Sequence, residues 1–332
     1  MDIIVPGHGS GGKLMNDLIN NLIKSTLGNE TIQLDDAAHL NLATTSIAFT
    51  TDSYTITPIE FTGGTIGSLA VNGTVNDLAV MGATPQFISC ALILEEGLEI
   101  ETLKRILVSM KEAALKAGVA IVTGDTKVVP KGKGDRIYIN TAGIGVFTNP
   151  PQRREIKPHD TIIINGSIGD HGTTIMALRN NLTFSKGLSS DCAALNHLIE
   201  DVIRHYPDAI KFMRDATRGG VASVLNEITK NAPFGAKLIE DNLPVKDEVR
   251  GVADILGIDP LYIANEGKVV MIADKRCAEG IVEIMKKHPE GRDACIIGHI
   301  TNEFSGKTYI QTKIGGKRIL PVLIEEQLPR IC

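Results

Sequence analysis

The sequence predicts a two-domain protein of α/β or α+β class, and three observations lead to that prediction. The chain has 332 residues, more than the roughly 250–300 residues at which a single hydrophobic core usually stops growing. Helix-like and strand-like patterns alternate in both halves of the chain. Residues 148–160 contain three prolines and several charges, which is typical of a linker. We therefore expect domains at residues 1–150 and 151–323.

The first half contains one clear helix and strands after it. From Ile100 to Ala117 the apolar residues recur at spacings of three and four, which predicts an amphipathic helix that ends at Gly118. Short runs of β-branched and apolar residues predict strands at residues 119–122 and 137–147. Between them, residues 127–135 contain a proline, two glycines and alternating charge, which indicates a loop.

The second half again mixes the two kinds of element. The patterns predict strands at residues 162–164 and 268–273, helices at residues 191–204, after Gly220 and at residues 276–287, and short strands up to residue 323. The last nine residues, 324–332, contain Pro329 and have no periodicity. They are expected to form a mobile tail.

Composition and charge argue against several classes of protein. Hydrophobic residues make up 43% and charged residues 22% of the chain, which is ordinary globular usage. A net charge of −5 offers no basic surface to a nucleic acid. No apolar run approaches the roughly 20 residues that span a bilayer, and the first residues carry neither a signal nor a transit pattern. We expect a cytoplasmic protein without nucleic-acid or membrane partners.

The cysteines fall into two groups. All five are widely spaced and none belongs to a CxxC pair, which argues against a disulfide framework and a zinc ribbon. Four lie in apolar or helical surroundings, where thiols behave as small hydrophobes: Cys90, Cys192, Cys277 and Cys295. Cys332 is the last residue of a tail without a core pattern, and its thiolate is the best nucleophile of the chain.

Residues 7–13 have the glycine and lysine spacing of a phosphate-binding P-loop. The match fails in detail, because Leu14 stands where a hydroxyl should hold magnesium and Pro6 interrupts the preceding apolar run. A flexible N-terminus is the plain alternative. We favour a glycine-rich lid that brings Lys13 to a phosphate.

Several acidic residues lie in short polar breaks beside apolar runs, where they suit a magnesium nucleotide: Asp35, Asp36, Asp52, Asp77, Asp125 and Asp215. Magnesium prefers oxygen ligands and is usually held by a few carboxylates together with substrate phosphates. Taken singly, each is more simply explained as a helix cap or turn residue. Asp77 resists that explanation because it follows Asn76 inside an apolar helix-like run, and Asp215 because Thr217, Arg218 and two glycines follow it.

Two further polar residues have open interpretations. Glu266 lies between Asn265 and a strand, so it is either a buried base facing a cleft or a turn residue. His171 lies among glycines and is a ligand, a proton carrier or a surface residue; we favour a structural role in a loop.

Taken together, the motifs resemble one family. They are TTDS at residues 50–53, NGTVNDLAVMGATP at 72–85, LEEGL at 94–98, TGDTKVV at 123–129, DHG at 170–172, RDATRGG at 214–220, NEGK at 265–268 and PRIC at 329–332. This set resembles the HypE family of hydrogenase maturation factors, in the superfamily of aminoimidazole ribonucleotide synthetase, selenophosphate synthetase and thiamine monophosphate kinase. The resemblance covers essentially the whole chain, and the terminal PRIC distinguishes HypE from its sister families.

The resemblance implies a fold and a reaction. It implies a PurM-like homodimer, in which the N-terminal sheet pairs with the sheet of the partner as a barrel around an ATP site and an α/β domain packs alongside. It also implies that Cys332 receives a carbamoyl group from the carbamoyltransferase HypF. The protein then uses ATP to dehydrate this group to a thiocyanate, and the cyano group passes to iron on the HypC–HypD complex.

The resemblance also implies roles for individual residues. Magnesium would be held by Asp36, Asp52, Asp77 and Asp215, with Asp35 as an alternative to Asp36. The phosphates would lie near Asp125, Thr126 and the catalytic Lys127, with contacts from Lys13, Asn76 and Arg218. Glu266 would be the base and Cys332 the carrier of the substrate group.

Two alternatives remain at this point. A sister enzyme, such as a selenophosphate synthetase or a small-molecule kinase, would share the ATP site; against the first, His8 stands where those enzymes usually carry cysteine or selenocysteine. A carrier scaffold would merely present Cys332 to partners.

Overall fold

Two β-sheets, one in each half of the chain, organise the fold. The computed structural model describes residues 3–9, 13–27, 42, 46–148, 154–182, 187–323 and 331–332. Asp35, Asp36 and the tail residues 324–330 lie outside the described residues. The elements of the first half are α1 (Lys13–Leu18), a π-helical turn (Ile19–Lys24), α2 (Ser25–Leu27), β1 (Ile47–Tyr54), β2 (Glu60–Phe61), β3 (Gly64–Thr65), α3 (Ile66–Val80), β4 (Thr84–Glu95), α4 (Ile100–Ala117), β5 (Ala120–Val129) and β6 (Ile137–Val146).

The first sheet has four strands in the order β1-β6-β4-β5. Strand β6 is antiparallel to both neighbours, and β4 runs parallel to β5. Helices α3 and α4 lie on one face of this sheet. The other face carries exposed apolar side chains, with Ile47 44%, Phe49 68% and Ile93 42% exposed.

Local sequence explains the two helices. Thr65 caps α3 in a capping box: its hydroxyl accepts from the N–H groups of Gly67 and Ser68, while Ser68 Oγ accepts from Thr65 N–H. Helix α3 is apolar on almost every side because it is buried between the sheet and the second half. Helix α4 is amphipathic and ends as expected at Gly118, whose φ of 71° is the left-handed cap conformation.

The second half is built on a sheet of seven strands. Its elements are β7 (Thr161–Ile164), α5 (Asp170–Arg179), α6 (Asn196–His205), β8 (Ile210–Asp215), α7 (Gly220–Thr229), β9 (Gly235–Ile239), α8 (Asp247–Leu256), β10 (Val269–Ala273), α9 (Ala278–Met285), β11 (Cys295–Thr301), β12 (Thr308–Gln311) and β13 (Lys317–Leu320). The strand order is β13-β12-β9-β11-β7-β10-β8, antiparallel throughout except for β12 beside β9. Strands β7 and β10 are buried on both faces, because α7 packs on one side of the sheet and α6 with α9 on the other.

The structure corrects two local expectations. Strand β5 continues through Val129, although residues 127–129 were expected in a loop, because β5 pairs with β4 along its whole length, up to Val129 opposite Glu95. His171 lies in the first turn of α5 rather than in a loop, because Gly169 takes a φ of 85° and lets the helix begin directly after it. The predicted strands at 162–164 and 268–273 and the helices after Gly220 and at 276–287 are present within a few residues.

The two halves share a hydrophobic core. Ile175, Ala253 and Ile263 of the second half pack in the same buried cluster as α3 and α4 of the first. All five cysteines are free thiols. In the part of the chain that the structure describes, no helix has the length and apolar character needed to cross a membrane.

Candidate active site

A cleft of about 500 Å³ lies where the two halves meet. Its walls include the end of β1, one turn of α3, the end of β8 with the turn after it, and the segment before β10. The residues that line it include Asp52, Tyr54, Asp77, Asp215, Thr217, Arg218, Glu266 and Cys332. The structure thus brings together six of the residues that were singled out in the sequence, from distant parts of the chain.

Three aspartates give the cleft its charge. Thr50 Oγ1 donates a hydrogen bond to Asp77 Oδ2 at 2.7 Å, which fixes the α3 carboxylate against β1. Burial, followed by the negative charges of Asp77 and Asp52, raises the pKa of Asp215 to about 7. Burial and the charge of Asp77 also raise the pKa of Asp52, and Arg218 partly opposes that shift. The negative charges that hinder the ionisation of Asp52 and Asp215 favour a bound cation.

These aspartates do not form a complete metal cage by themselves. Among the described residues, no group of three or more His, Cys, Asp or Glu is arranged to hold a metal ion. This still fits magnesium, which keeps several waters and is usually bound by one or two carboxylates together with substrate phosphates. The donors are all oxygens, and Thr217 and Arg218 offer contacts to phosphate beside them.

Glu266 is a buried acid that lies in the bend before β10, so both the burial and the turn position considered for it are present. It is 3% exposed, and its Oε1 has no hydrogen-bond partner among the described residues. Asp191 accepts from the N–H groups of Glu266 and Gly267, both at 3.2 Å, and is itself held by Lys268 Nζ at 3.0 Å. Burial, followed by the charges of Asp191 and Asp215, raises the pKa of Glu266 well above its usual range.

The end of the chain is docked in the cleft. Ile331 is 3% exposed and belongs to the hydrophobic core, and Cys332 packs against that core. Thr55 donates to a main-chain oxygen of Cys332 through its backbone N–H at 3.0 Å and its hydroxyl at 3.3 Å. Residues 331 and 332 were expected in a mobile tail; in the structure they are docked, and the Ile331 side chain fills an apolar site.

Several other candidates lie away from this cleft. Asp125 and Lys127 pair with each other at 3.1 Å on β5, which is at the opposite edge of the sheet from β1. The side chain of Thr126 is buried on the helix side. Lys13 is the first residue of α1, and its side chain lies outside the described part of the structure.

Asn76 has a different role from the nucleotide contact that was expected. It is buried, and its amide nitrogen donates to the carbonyl of Ala193 at 3.0 Å while its amide oxygen accepts from Leu195 N–H at 2.8 Å. Both ends of the amide are thus engaged in holding the segment before α6 against α3. We correct the assignment of Asn76 accordingly.

Sequence reasoning missed the contacts that two residues, Thr55 and His171, make with the tail. Both bind main-chain atoms of residues 331 and 332. Recognition of a backbone leaves no pattern of residue types, so the sequence carried no signal for these contacts.

Comparison with known proteins identifies the family. The model of the AIR synthase related protein, N-terminal domain, matches residues 34–147, and that of the C-terminal domain matches residues 157–311. The chain is 47% identical to carbamoyl dehydratase HypE of Rhodobacter capsulatus, over 98% of this chain and 97% of that one. This chain belongs to the HypE family.

Solved structures of the HypE family agree with that assignment. A crystal structure of HypE in complex with ATP superposes with a TM-score of 0.93 at 43% identity, over 99% of both chains. The structure of a HypE–HypF complex matches with a TM-score of 0.79 at 44% identity, over 94% of this chain and 100% of that one. The expected family and the PurM-like two-domain fold are confirmed.

Proposed function

We propose that this protein is an ATP-dependent carbamoyl dehydratase that acts on its own Cys332 and so makes the cyanide ligand of a [NiFe]-hydrogenase. One observation carries the proposal: Cys332 lines the same cleft as the acidic cluster and Glu266. The relatives named carbamoyl dehydratase and the relative solved with ATP support it.

The proposed reaction converts a carbamoyl thioester, S–C(=O)–NH2, to a thiocyanate, S–C≡N. The carbonyl oxygen attacks the γ-phosphorus of ATP, the bond from this phosphorus to the bridging oxygen breaks, and ADP leaves. Loss of one N–H proton gives an O-phosphorylated imidate. The C–O bond then breaks to release phosphate, and loss of the second N–H proton completes the triple bond. Positioning and charge neutralisation dominate such a barrier.

Different residues of the cleft would assist different steps of this reaction. Magnesium, held by Asp52, Asp77 and Asp215 with phosphate oxygens, would neutralise charge on the transferred and departing phosphates. Arg218 lines the same cleft and would contact a phosphate there. Asp36 remains a proposed fourth ligand.

Glu266 is proposed as the base that takes the amide protons. Its carboxyl is buried in the same cleft as Cys332, and one of its oxygens has no hydrogen-bond partner in the described part of the chain. Cations bound beside the acidic cluster would oppose the burial and negative charges that raise the pKa of Glu266, and would so favour the ionised carboxylate that can take a proton.

We infer that the active form is a homodimer joined through the open face of the first sheet. This face carries Phe49 and Ile93 with large exposed fractions, as an interface would. Asp125 and Lys127 project from the same face, opposite to the buried Thr126, so dimerisation would bring them between the two sheets. They, with Lys13 as a secondary contact, would complete the phosphate site there.

Two partners belong to the proposal. The relative solved with HypF supports HypF as the source of the carbamoyl group. The HypC–HypD complex as acceptor of the cyano group, and the cytoplasmic location, stay predictions.

The alternative of a selenophosphate synthetase is disfavoured, because His8 is buried and its Nδ1 accepts from Val5 N–H at 3.0 Å.

Intact-mass spectrometry tests the function. Incubation with HypF, carbamoyl phosphate and ATP should add one carbamoyl group to the C-terminal peptide, and magnesium ATP should then remove one water from it. Cys332→Ser should bind nucleotide but stay unmodified, because a hydroxyl is far less ionised than a thiol near pH 7. ATP turnover without modification of the wild type would indicate a small-molecule kinase, and modification without any ATP turnover would indicate a carrier scaffold.

A further inference from the structure

The last two residues occupy a specific seat that contacts both halves of the molecule. On one side, Thr55, which follows β1, donates to a main-chain oxygen of Cys332. On the other side, His171 of α5 lies with its Nε2 2.9 Å from the carbonyl oxygen of Ile331. The Ile331 side chain is buried in the core that the two halves share. The seat thus holds the main chain of residues 331 and 332 and the side chain of Ile331.

The hydrogen bonds around His171 determine which of its nitrogens carries the proton. A carbonyl oxygen only accepts, so Nε2 must be the N–H donor to Ile331. Nδ1 must then accept, and it lies 2.8 Å from Ser190 Oγ. Ser190 Oγ already accepts from Cys192 N–H at 3.1 Å, which leaves its own proton to point at the imidazole.

The surroundings keep His171 neutral and fixed in orientation. It is fully buried, and desolvation lowers the pKa of its imidazole. Phe61 packs against the ring edge-to-face at 5.5 Å between centroids. A neutral imidazole with one assigned tautomer is a directional donor, as in other sites where the partner of one ring nitrogen sets the role of the other.

We propose that His171 is a positioning residue that latches the tail, so that the group on Cys332 is presented to Glu266 at the dehydration step. The latch contacts the main chain of residue 331, which carbamoylation and cyanation of Cys332 leave chemically unchanged. The link to dehydration rests on the proposed function, whereas the latch itself does not. In this proposal, carbamoylation by HypF requires the tail to leave the seat. The contact of His171 with residue 331 should therefore favour dehydration and oppose carbamoylation.

Three substitutions of His171 separate the latch from a general structural role. His171→Phe keeps the shape of the ring and removes both nitrogens. His171→Gln keeps a donor near the position of Nε2, and His171→Asn keeps a polar group near the position of Nδ1 only. If His171 acts as a latch, His171→Gln should hold the tail almost as the wild type does, and His171→Asn should behave like His171→Phe.

The first measurement is the alkylation rate of Cys332 by iodoacetamide in the unmodified protein, followed by mass spectrometry of the C-terminal peptide. We expect alkylation of the thiol when the tail has left its seat. Loss of one buried hydrogen bond should increase the population of the unseated tail, and so raise the alkylation rate, on the order of fivefold in the Phe and Asn variants. Cys277 in the same digest is the internal reference and should not change. Equal acceleration at Cys277, or an unchanged rate at Cys332 in His171→Phe, would overturn the latch.

The second measurement is single-turnover dehydration of the carbamoylated protein after addition of magnesium ATP. We expect a fall of about threefold or more in the Phe and Asn variants, recovery in the Gln variant, and carbamoylation by HypF at the wild-type rate or faster. Faster alkylation with an unchanged dehydration rate would refute the positioning role. Failure of all carbamoyl chemistry, wild type included, would refute the proposed function and leave the alkylation result standing.

Ser190→Ala provides a test that leaves the histidine in place. It removes the donor to Nδ1 and with it the bias towards the Nε2–H tautomer. We expect alkylation of Cys332 at a rate between wild type and His171→Phe. A rate equal to the wild type would contradict the assigned tautomer.

Discussion

At the scale of single residues, the charge of the acidic cluster is the property most open to test. We expect Asp77→Asn to fold normally and to lose ATP turnover, because an amide cannot supply the negative charge that holds magnesium against phosphate. The amide oxygen can still accept from Thr50, so the local contact survives. Circular dichroism and phosphate release measure the two properties. Normal turnover in the folded variant would remove Asp77 from the metal site.

Glu266 should make stability depend on pH in a defined direction. Its folded pKa is raised well above the ordinary value of 4.5, so the folded state keeps a proton that the unfolded state releases. Stability is then lost as pH rises from about 4.5 towards the raised folded pKa. We expect Glu266→Gln to melt at a higher temperature than wild type at pH 7, with the difference vanishing near pH 4, in thermal scans without nucleotide. The same variant should accept a carbamoyl group and fail to dehydrate it.

Residue types in short motifs allowed most of the cleft to be predicted from the sequence. Asp52, Asp77, Asp215, Glu266 and Cys332 do meet in one place. Asn76 was misassigned because an amide beside a site aspartate looks the same in sequence whether it binds a ligand or a backbone. The contacts of His171 and Thr55 with the tail join residues more than 150 positions apart in the chain, which no local pattern encodes.

At the scale of elements, the close approach of α3 to β1 depends on one glycine. A Cβ on Gly73 would lie 2.2 Å from the Tyr54 hydroxyl. We expect Gly73→Ala to destabilise the protein by about 1–3 kcal/mol through overpacking. Gly251→Ala in α8 is the matched control: no atom of the described residues lies within 4 Å of its Cβ position, and a helical Gly→Ala change should stabilise by about 0.5–1 kcal/mol. Urea unfolding measures both, and equal effects at the two sites would contradict the packing argument.

The open face of the first sheet yields a prediction about assembly. Phe49 is 68% exposed on β1, so Phe49→Asp should place a charge in the proposed interface, dissociate the dimer and reduce ATP turnover. Ile255→Asp on α8, where the native side chain is 66% exposed, is the control and should leave both unchanged. Sedimentation at micromolar concentration measures the assembly. A dimeric Phe49→Asp variant would refute this interface.

The differences between expected and observed elements have a common physical origin. Helix α4 was predicted to the residue because its periodicity and its glycine cap are both local. Strand β5 is longer than its local pattern because β4 supplies hydrogen-bond partners that a turn-rich sequence does not reveal. Helix α5 begins among glycines, which is a pattern typical of a loop. The helix begins there because Gly169 adopts a left-handed conformation, which the sequence alone does not reveal.

At the scale of the whole molecule, the site exists only where the two halves pack together. Asp52 and Asp77 come from the first half, Asp215 and Glu266 from the second, and the shared core fixes their relation. The family matches, which cover one half each, follow the same division. Changes in the contacts between the halves should therefore alter ATP turnover without touching any acidic residue.

The seat for residues 331 and 332 also makes the tail a tethered peptide ligand. A tether of this kind provides an effective concentration of roughly millimolar, so a weak receptor suffices as long as the peptide stays attached. A chain that ends at residue 323 would expose that receptor, and a carbamoylated peptide with the sequence of residues 324–332 should then be dehydrated in trans, with saturation measured by mass spectrometry of the peptide. A protein that modifies itself once would in this way become an enzyme with repeated turnover and a measurable KM.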